Sequence, residues 1–257
     1  MKSKKKLVIA NWKMNPSSLE EAKNIFNFTK KTASLLKNTE VLLLPPSIYL
    51  QPLSKIDRPK NLFLGAQNSS AEEKGAFTGE ISISMLKDLG IKFVLVGHSE
   101  RRAMGEDNKT VNKKLQAVFE AGLIPVLCIG ESVRDREGTH LEFLKEQIKN
   151  SITGLQKKYL VGMIIAYEPV WAIGKPYKEA MNPTDIHETV LFIKKSVGEF
   201  FGKDIASLIR VLYGAAVESQ NAKEVIEYGN VEGFLVGHAS LKKEEFPLIL
   251  KAIDSVR

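Results

Sequence analysis

Short apolar runs rich in β-branched residues recur along the chain, each followed by a polar loop and then an amphipathic stretch. The runs cover residues 7–12, 41–44, 62–66, 93–97, 124–129, 163–167, 208–213 and 234–237. Their apolar character is nearly continuous, the pattern of a parallel strand covered on both faces. The stretches between them read as helices. Leu19, Ala22, Ile25, Phe26 and Thr29 share one helical face. Asn182-Pro183-Thr184-Asp185 reads as a helix start, with a cap, a proline at the first position and an acid in the first turn. Ile186, Val190, Ile193 and Val197 continue it as an apolar stripe, and Val225 and Ile226 mark another helix that ends at Gly229, a C-cap.

Eight β-then-α units in 257 residues predict an α/β fold of the (β/α)8 type, eight parallel strands with outer helices, for which about 250 residues is typical. No low-complexity linker interrupts the chain, so residues 1–257 are expected to form one domain. An open doubly wound sheet is the structural alternative. It normally uses fewer strands, and no Gly-x-Gly-x-x-Gly follows the first run.

Composition changes this picture little. Hydrophobic residues make up 44% and charged residues 26%, ordinary for a soluble globular protein. No apolar run is long enough to span a bilayer. Residues 1–6 are basic, but the apolar segment 7–10 is too short for a signal-peptide core, so no export is expected. The one cysteine, Cys128, cannot form an internal disulfide, which points to a reducing, cytoplasmic compartment. It reads as a small buried apolar residue. The net charge of +7 raises the question of nucleic-acid binding. The lysines, however, are spread along the whole chain between apolar positions, as on solvated helix faces. Neither nucleic acid nor membrane is expected as a partner.

In a (β/α)8 barrel the active site lies at the C-terminal ends of the strands, so the polar residues just past each run are the informative ones. They are Asn11-Trp12-Lys13, Gly97-His98-Ser99-Glu100, Glu168-Pro169, Tyr213-Gly214-Ala215-Ala216 and Gly237-His238-Ala239-Ser240. Taken singly, Glu168 is an ordinary strand-end acid, His98 a structural histidine and Lys13 a solvated charge. Convergence on one rim, beside two turns suited to an anion, gives them weight. The four histidines, His98, His140, His187 and His238, lack ligand spacing, and no metal site is expected.

The blocks around these residues resemble the triosephosphate isomerases. Asn11-Trp12-Lys13-Met14-Asn15 is similar to their first-strand motif. Gly65-Ala66-Gln67-Asn68 followed by Gly75-Ala76-Phe77-Thr78-Gly79-Glu80-Ile81-Ser82 is similar to their third loop. Val96-Gly97-His98-Ser99-Glu100-Arg101-Arg102 is similar to the fourth, and Ala166-Tyr167-Glu168-Pro169-Val170-Trp171-Ala172-Ile173-Gly174 to the sixth. Order and spacing agree from Leu7 to the C-terminus. The resemblance implies a cofactor-free interconversion of dihydroxyacetone phosphate and glyceraldehyde 3-phosphate through an ene-diolate, a step of glycolysis and gluconeogenesis. It implies Glu168 as the base, His98 as a neutral electrophile, Lys13 as a fixed positive charge and Asn11 as a hydrogen-bonding partner of the substrate. Phosphate is then held mainly by backbone N–H groups of Gly174, Ala216, Gly237 and His238. Glu100 and Arg101 support the site from behind or form a structural ion pair. The third loop, residues 68–80, implies a homodimer with Thr78 close to the partner's Lys13.

Three loops depart from the family pattern. Where the sixth loop usually reads Ala-Ile-Gly-Thr-Gly-Lys, Lys175-Pro176-Tyr177 follows Ala172-Ile173-Gly174. Where the seventh reads Tyr-Gly-Gly-Ser-Val, the chain has Tyr213-Gly214-Ala215-Ala216-Val217, and Gly237-His238 replaces Gly-Gly in the eighth. The resemblance makes the sixth loop a lid held by a seventh-loop hydroxyl. Ala216 has no hydroxyl and Pro176 has no N–H, so donor and acceptor are lost together. A latch by packing of Tyr177 is expected instead. Losing one neutral hydrogen bond costs about 0.5–1.5 kcal/mol, enough to loosen closure by about tenfold but not to abolish chemistry. If His238 needs a positive φ it is strained; its ring either contacts phosphate or points to solvent. These changes motivate a second reading, a non-catalytic or weakly active triose-phosphate-binding paralogue; a third, a different (β/α)8 sugar-phosphate isomerase, needs a larger pocket, and nothing in the strand-end residues asks for it.

Overall fold

A computed structural model describes residues 5–256. Residues 1–4 of the basic N-terminal segment, and Arg257, lie outside the described residues. The strands are β1 (Lys6–Asn11), β2 (Thr39–Leu44), β3 (Leu62–Ala66), β4 (Phe93–Val96), β5 (Ile124–Ile129), β6 (Ile164–Tyr167), β7 (Arg210–Tyr213) and β8 (Gly233–Val236). Each lies beside the next in sequence, all parallel, and β8 pairs back onto β1 to close a barrel. Every predicted strand is present, and the (β/α)8 expectation holds over the open-sheet alternative.

The pleat explains why the strands read as unbroken apolar runs. Leu7 and Ile9 of β1 join Leu42, Leu44, Leu95, Val126 and Leu212 in a cluster that fills the barrel interior. Val8 and Ala10 face the other way, into the cluster shared with the surrounding helices. Both faces are dry, so both must be apolar. At the seam, Leu7 lies opposite Gly233. Gly233 has a φ of +150°, and a Cβ there would sit 1.8 Å from the Leu7 carbonyl oxygen. Only glycine allows the two backbones to approach this closely.

The helices largely follow the predicted stripes. Asn182 caps helix Pro183–Phe201 by accepting the Asp185 N–H at 2.9 Å, with Pro183 at the first position. Ile186, Val190, Ile193 and Val197 are fully buried. Three details differ. Leu19 opens helix Leu19–Ala33 but is exposed; the buried face begins at Ala22. Leu208 ends helix Lys203–Leu208 rather than opening a strand, and is 39% exposed. Gly229 does cap helix Ala222–Tyr228, but with a φ of −80°; the left-handed residue is Asn230, at 54°. Among the described residues no helix is long and apolar enough to cross a membrane.

Ile193 (0% exposed) and Leu191 (51% exposed) share helix Pro183–Phe201 and separate burial from propensity. Ile193→Ala is expected to lower unfolding free energy by about 2–5 kcal/mol. Leu191→Ala is expected to change it by less than about 0.5 kcal/mol. Chemical denaturation of both variants checks the difference.

Candidate active site

The turn after β1 is held in an uncommon conformation. Lys13 has a φ of 53°. Its N–H donates to Asn11 Oδ1 at 3.0 Å, and its carbonyl accepts from Gln67 Nε2 at 2.8 Å. The same Gln67 amide donates to the Leu44 carbonyl at 2.8 Å, tying together the ends of β1, β2 and β3. These bonds fix a non-glycine residue in the left-handed region. The Lys13 side chain reaches Glu100, with Nζ 2.6 Å from Oε1.

Past β4, His98 is the N-cap of helix Ser99–Ala103. Its Nδ1 accepts the Glu100 N–H at 3.2 Å, which places the ring proton on Nε2. Nε2 lies 3.1 Å from Glu168 Oε1, and Asn11 Nδ2 lies 3.3 Å from the same nitrogen. Two influences oppose each other at this ring. Burial lowers the His98 pKa, while the Glu168 carboxylate and, more weakly, Glu100 raise it. The carboxylates win, and the pKa stands above the ordinary 6.5.

Glu168 follows β6 and is buried. Its backbone N–H donates to Ile129 O of β5 at 2.7 Å, and its Oε2 accepts the Ser99 N–H at 3.3 Å. The residues on either side of it meet Glu131. Glu131 Oε1 accepts from Tyr167 Oη–H and from Trp171 Nε1–H, both at 2.9 Å. Burial, and then the Glu131 charge, push the Tyr167 phenol far up its range, so it stays a donor. Sequence reasoning missed Glu131, and it met Gln67 only within the third-loop block, without a role. Both sit just past an apolar run, at β5 and β3, so the rule that found Glu168 reaches them too.

Opposite this group, Ala216 is buried and its carbonyl accepts from Asn221 Nδ2 at 2.8 Å. Gly237 opens the 3-10 turn His238–Leu241, and Ser240 Oγ donates back to its carbonyl at 2.6 Å. His238 does not have a positive φ, so the anticipated strain is absent there; among the site residues it belongs to Lys13 instead. The His238 side chain is exposed, as its solvent-facing reading requires.

A cavity of about 300 Å³ is lined by Asn11, Lys13, His98, Glu168, Gly174, Ala216, Gly237 and His238, with Ile173 and Leu235 as apolar walls. Glu100 stands at the rim, paired with Lys13. Arg101 turns away: its Nε lies 3.5 Å from Glu106 Oε2, in a network where Lys114 Nζ meets the same oxygen at 2.5 Å. Thr78 is exposed in the third loop and does not line the cavity. Cys128 is buried, and burial lifts its thiol pKa well above the ordinary value, which suits an inert core residue.

Residues 6–253 match the family model for triosephosphate isomerase. The triosephosphate isomerase of Rhodopirellula baltica is 40% identical over 259 residues, covering 98% of this chain and 99% of that protein. That of Acetivibrio thermocellus is 40% identical over 251 residues, covering 97% and 98%. That of Carboxydothermus hydrogenoformans is 39% identical over 253 residues, covering 96% and 98%. The chain belongs to the triosephosphate isomerase family.

In this member of the triosephosphate isomerase family, the segment that departs from the usual pattern begins just after Gly174. A 3-10 turn at Val170–Ala172 is followed by Gly174 with a φ of 77°, then by Pro176 and a second turn at Tyr177–Glu179. Lys175 Nζ lies 5.6 Å from the Trp171 ring centroid. The Tyr177 side chain is half-buried.

Glu168 is the main cause holding the His98 pKa up, so Glu168→Gln is expected to lower it. What remains is burial, the largest influence, and the Lys13 charge, both acting downward, against the weaker upward pull of Glu100. Ring-nitrogen NMR titration of the two proteins checks the sign; an unchanged or higher pKa in the variant would contradict it.

Proposed function

We propose that this member of the triosephosphate isomerase family interconverts dihydroxyacetone phosphate and D-glyceraldehyde 3-phosphate. The observation that carries the reading is the Glu168 carboxylate 3.1 Å from His98 Nε2, inside a cavity that Lys13 and Asn11 also line. A proton next to a carbonyl is weakly acidic. Its removal needs a base on the carbon and a donor on the oxygen that gains charge. Glu168 is the base. His98 presents Nε2–H to the nascent oxyanion, because Nδ1 is committed to the Glu100 N–H at the start of a helix. Substrate between the two groups takes over the Nε2–H from Glu168. With the carboxylate no longer bonded to the ring, the main influence raising the His98 pKa is weakened, which favours the uncharged imidazole. Lys13 and Asn11 add a fixed charge and an amide on the oxyanion side. The N–H groups of Gly174, Ala216, Gly237 and His238 bind the phosphate. Ile173 and Leu235 shield the base from water as the lid closes.

No feature favours the non-catalytic paralogue, since the base and the electrophile are both in place. The expected substrate is a small triose phosphate, and no cofactor enters the reaction. The chain acts as one barrel domain in the cytoplasm, in keeping with a single reduced, buried Cys128. Glu168→Gln is expected to cut turnover by about 10²–10⁴-fold while the protein stays folded. A coupled assay on glyceraldehyde 3-phosphate, with circular dichroism on both proteins, reads this. A wild type no faster than the variant would end the proposal.

A homodimer belongs to the same reading. Met14 (94% exposed) and Phe77 (48%) project from the loops after β1 and β3, which Gln67 holds together. Ile48 and Met85 are also exposed apolar residues on segments that adjoin them. Clustered exposed apolar side chains mark an interface. Sedimentation velocity at micromolar concentration is expected to give a dimer, and Phe77→Glu to shift it towards monomer.

A further inference from the structure

The mechanism above uses Lys13 but leaves the lysine of the lid without a task. Lys13 Nζ is 2.6 Å from Glu100 Oε1, so part of its charge is already balanced. A phosphate ester brings a charge of roughly −1.5 to −2 near pH 7. The other cations lining the cavity are Lys175 and Lys242, and its remaining acids are Glu168, Glu218 and Glu245. Glu168 is turned towards His98 and the Ser99 N–H, and Glu245 accepts the Ser219 N–H at 2.6 Å. Lys175 pairs with no acid among the described residues. Its Nζ rests 5.6 Å from the Trp171 ring centroid, a weak contact at an exposed position. It follows Gly174, whose N–H is assigned to phosphate, and precedes Pro176, which has no N–H to offer. Across the cavity Ala216 has no hydroxyl.

We propose that Lys175 is a phosphate-binding residue: the lid carries its own cation, which leaves the Trp171 ring for the substrate phosphate and so draws the lid onto the ligand. This deepens the isomerase reading and rests on it. The charge contact supplies closing force that Pro176 and Ala216 cannot supply as a hydrogen-bonded pair. A long flexible lysine suits the task, because it bridges a gap that varies as the lid moves.

The test compares Lys175→Met and Lys175→Arg with wild type. For Lys175→Met the KM for glyceraldehyde 3-phosphate is expected to rise about tenfold, the worth of one hydrogen bond to a charged group. The affinity for inorganic phosphate, read by calorimetry, is expected to fall by a similar factor. The slow isomerisation of unphosphorylated glyceraldehyde is expected to stay at the wild-type rate, and Lys175→Arg to recover most of the loss. Wild-type KM and phosphate affinity in Lys175→Met would overturn the proposal. So would an equal slowing with unphosphorylated glyceraldehyde, which would mark a role in lid structure alone. Failure of the isomerase reading looks different: wild type would be no faster than Glu168→Gln, while phosphate calorimetry would still report on Lys175.

Discussion

The backbone bond from Glu168 N–H to Ile129 O, 2.7 Å long, extends the β5–β6 ladder one residue beyond the strands. It sets where the acid leaves the barrel, and its side chain then reaches two strands over to the helix that follows β4. There it finds the Ser99 N–H and the His98 ring. Three neighbouring strands therefore hold one carboxylate. Because the barrel is closed and every strand runs the same way, the remaining site residues arrive at the same rim from β1, β7 and β8.

The electrostatics of that rim are arranged in opposed pairs. Lys13 is partly neutralised by Glu100, and His98 is pulled down by burial and up by Glu168. Such balances are sensitive to a newcomer. An anion or a carbonyl placed between the members shifts protons and charges with little rearrangement of the backbone. This is why a fixed scaffold suits proton transfer.

Much of this was legible in the residues alone. The strands were visible because both their faces are buried, which leaves no polar alternation to confuse them. The convergence of Asn11, Lys13, His98 and Glu168 followed from reading the residue after each strand. The boundary at Leu208 was not legible. An apolar residue at the end of a short helix and one at the start of a strand look alike in sequence, and only the extended residue Ile209 separates helix from strand. His238 would carry backbone strain only with a positive φ, which it lacks; that conformation falls to Lys13, where both peptide groups are tied to neighbouring side chains. For Arg101 two readings stood open, support of the site from behind or a structural ion pair, and its Nε lies 3.5 Å from Glu106 Oε2, the geometry of the second.

The grip of Glu131 on Tyr167 and Trp171 has a mechanical corollary. One carboxylate oxygen anchors both flanks of Glu168, the strand before it and the first turn after it. The start of the loop and the Glu168 side chain thus share a foundation. Past Gly174, no side-chain hydrogen bond among the described residues ties Lys175, Pro176 or Tyr177 back to the barrel. A disturbance at the tip of the loop is therefore absorbed locally, while one at its root reaches Glu168.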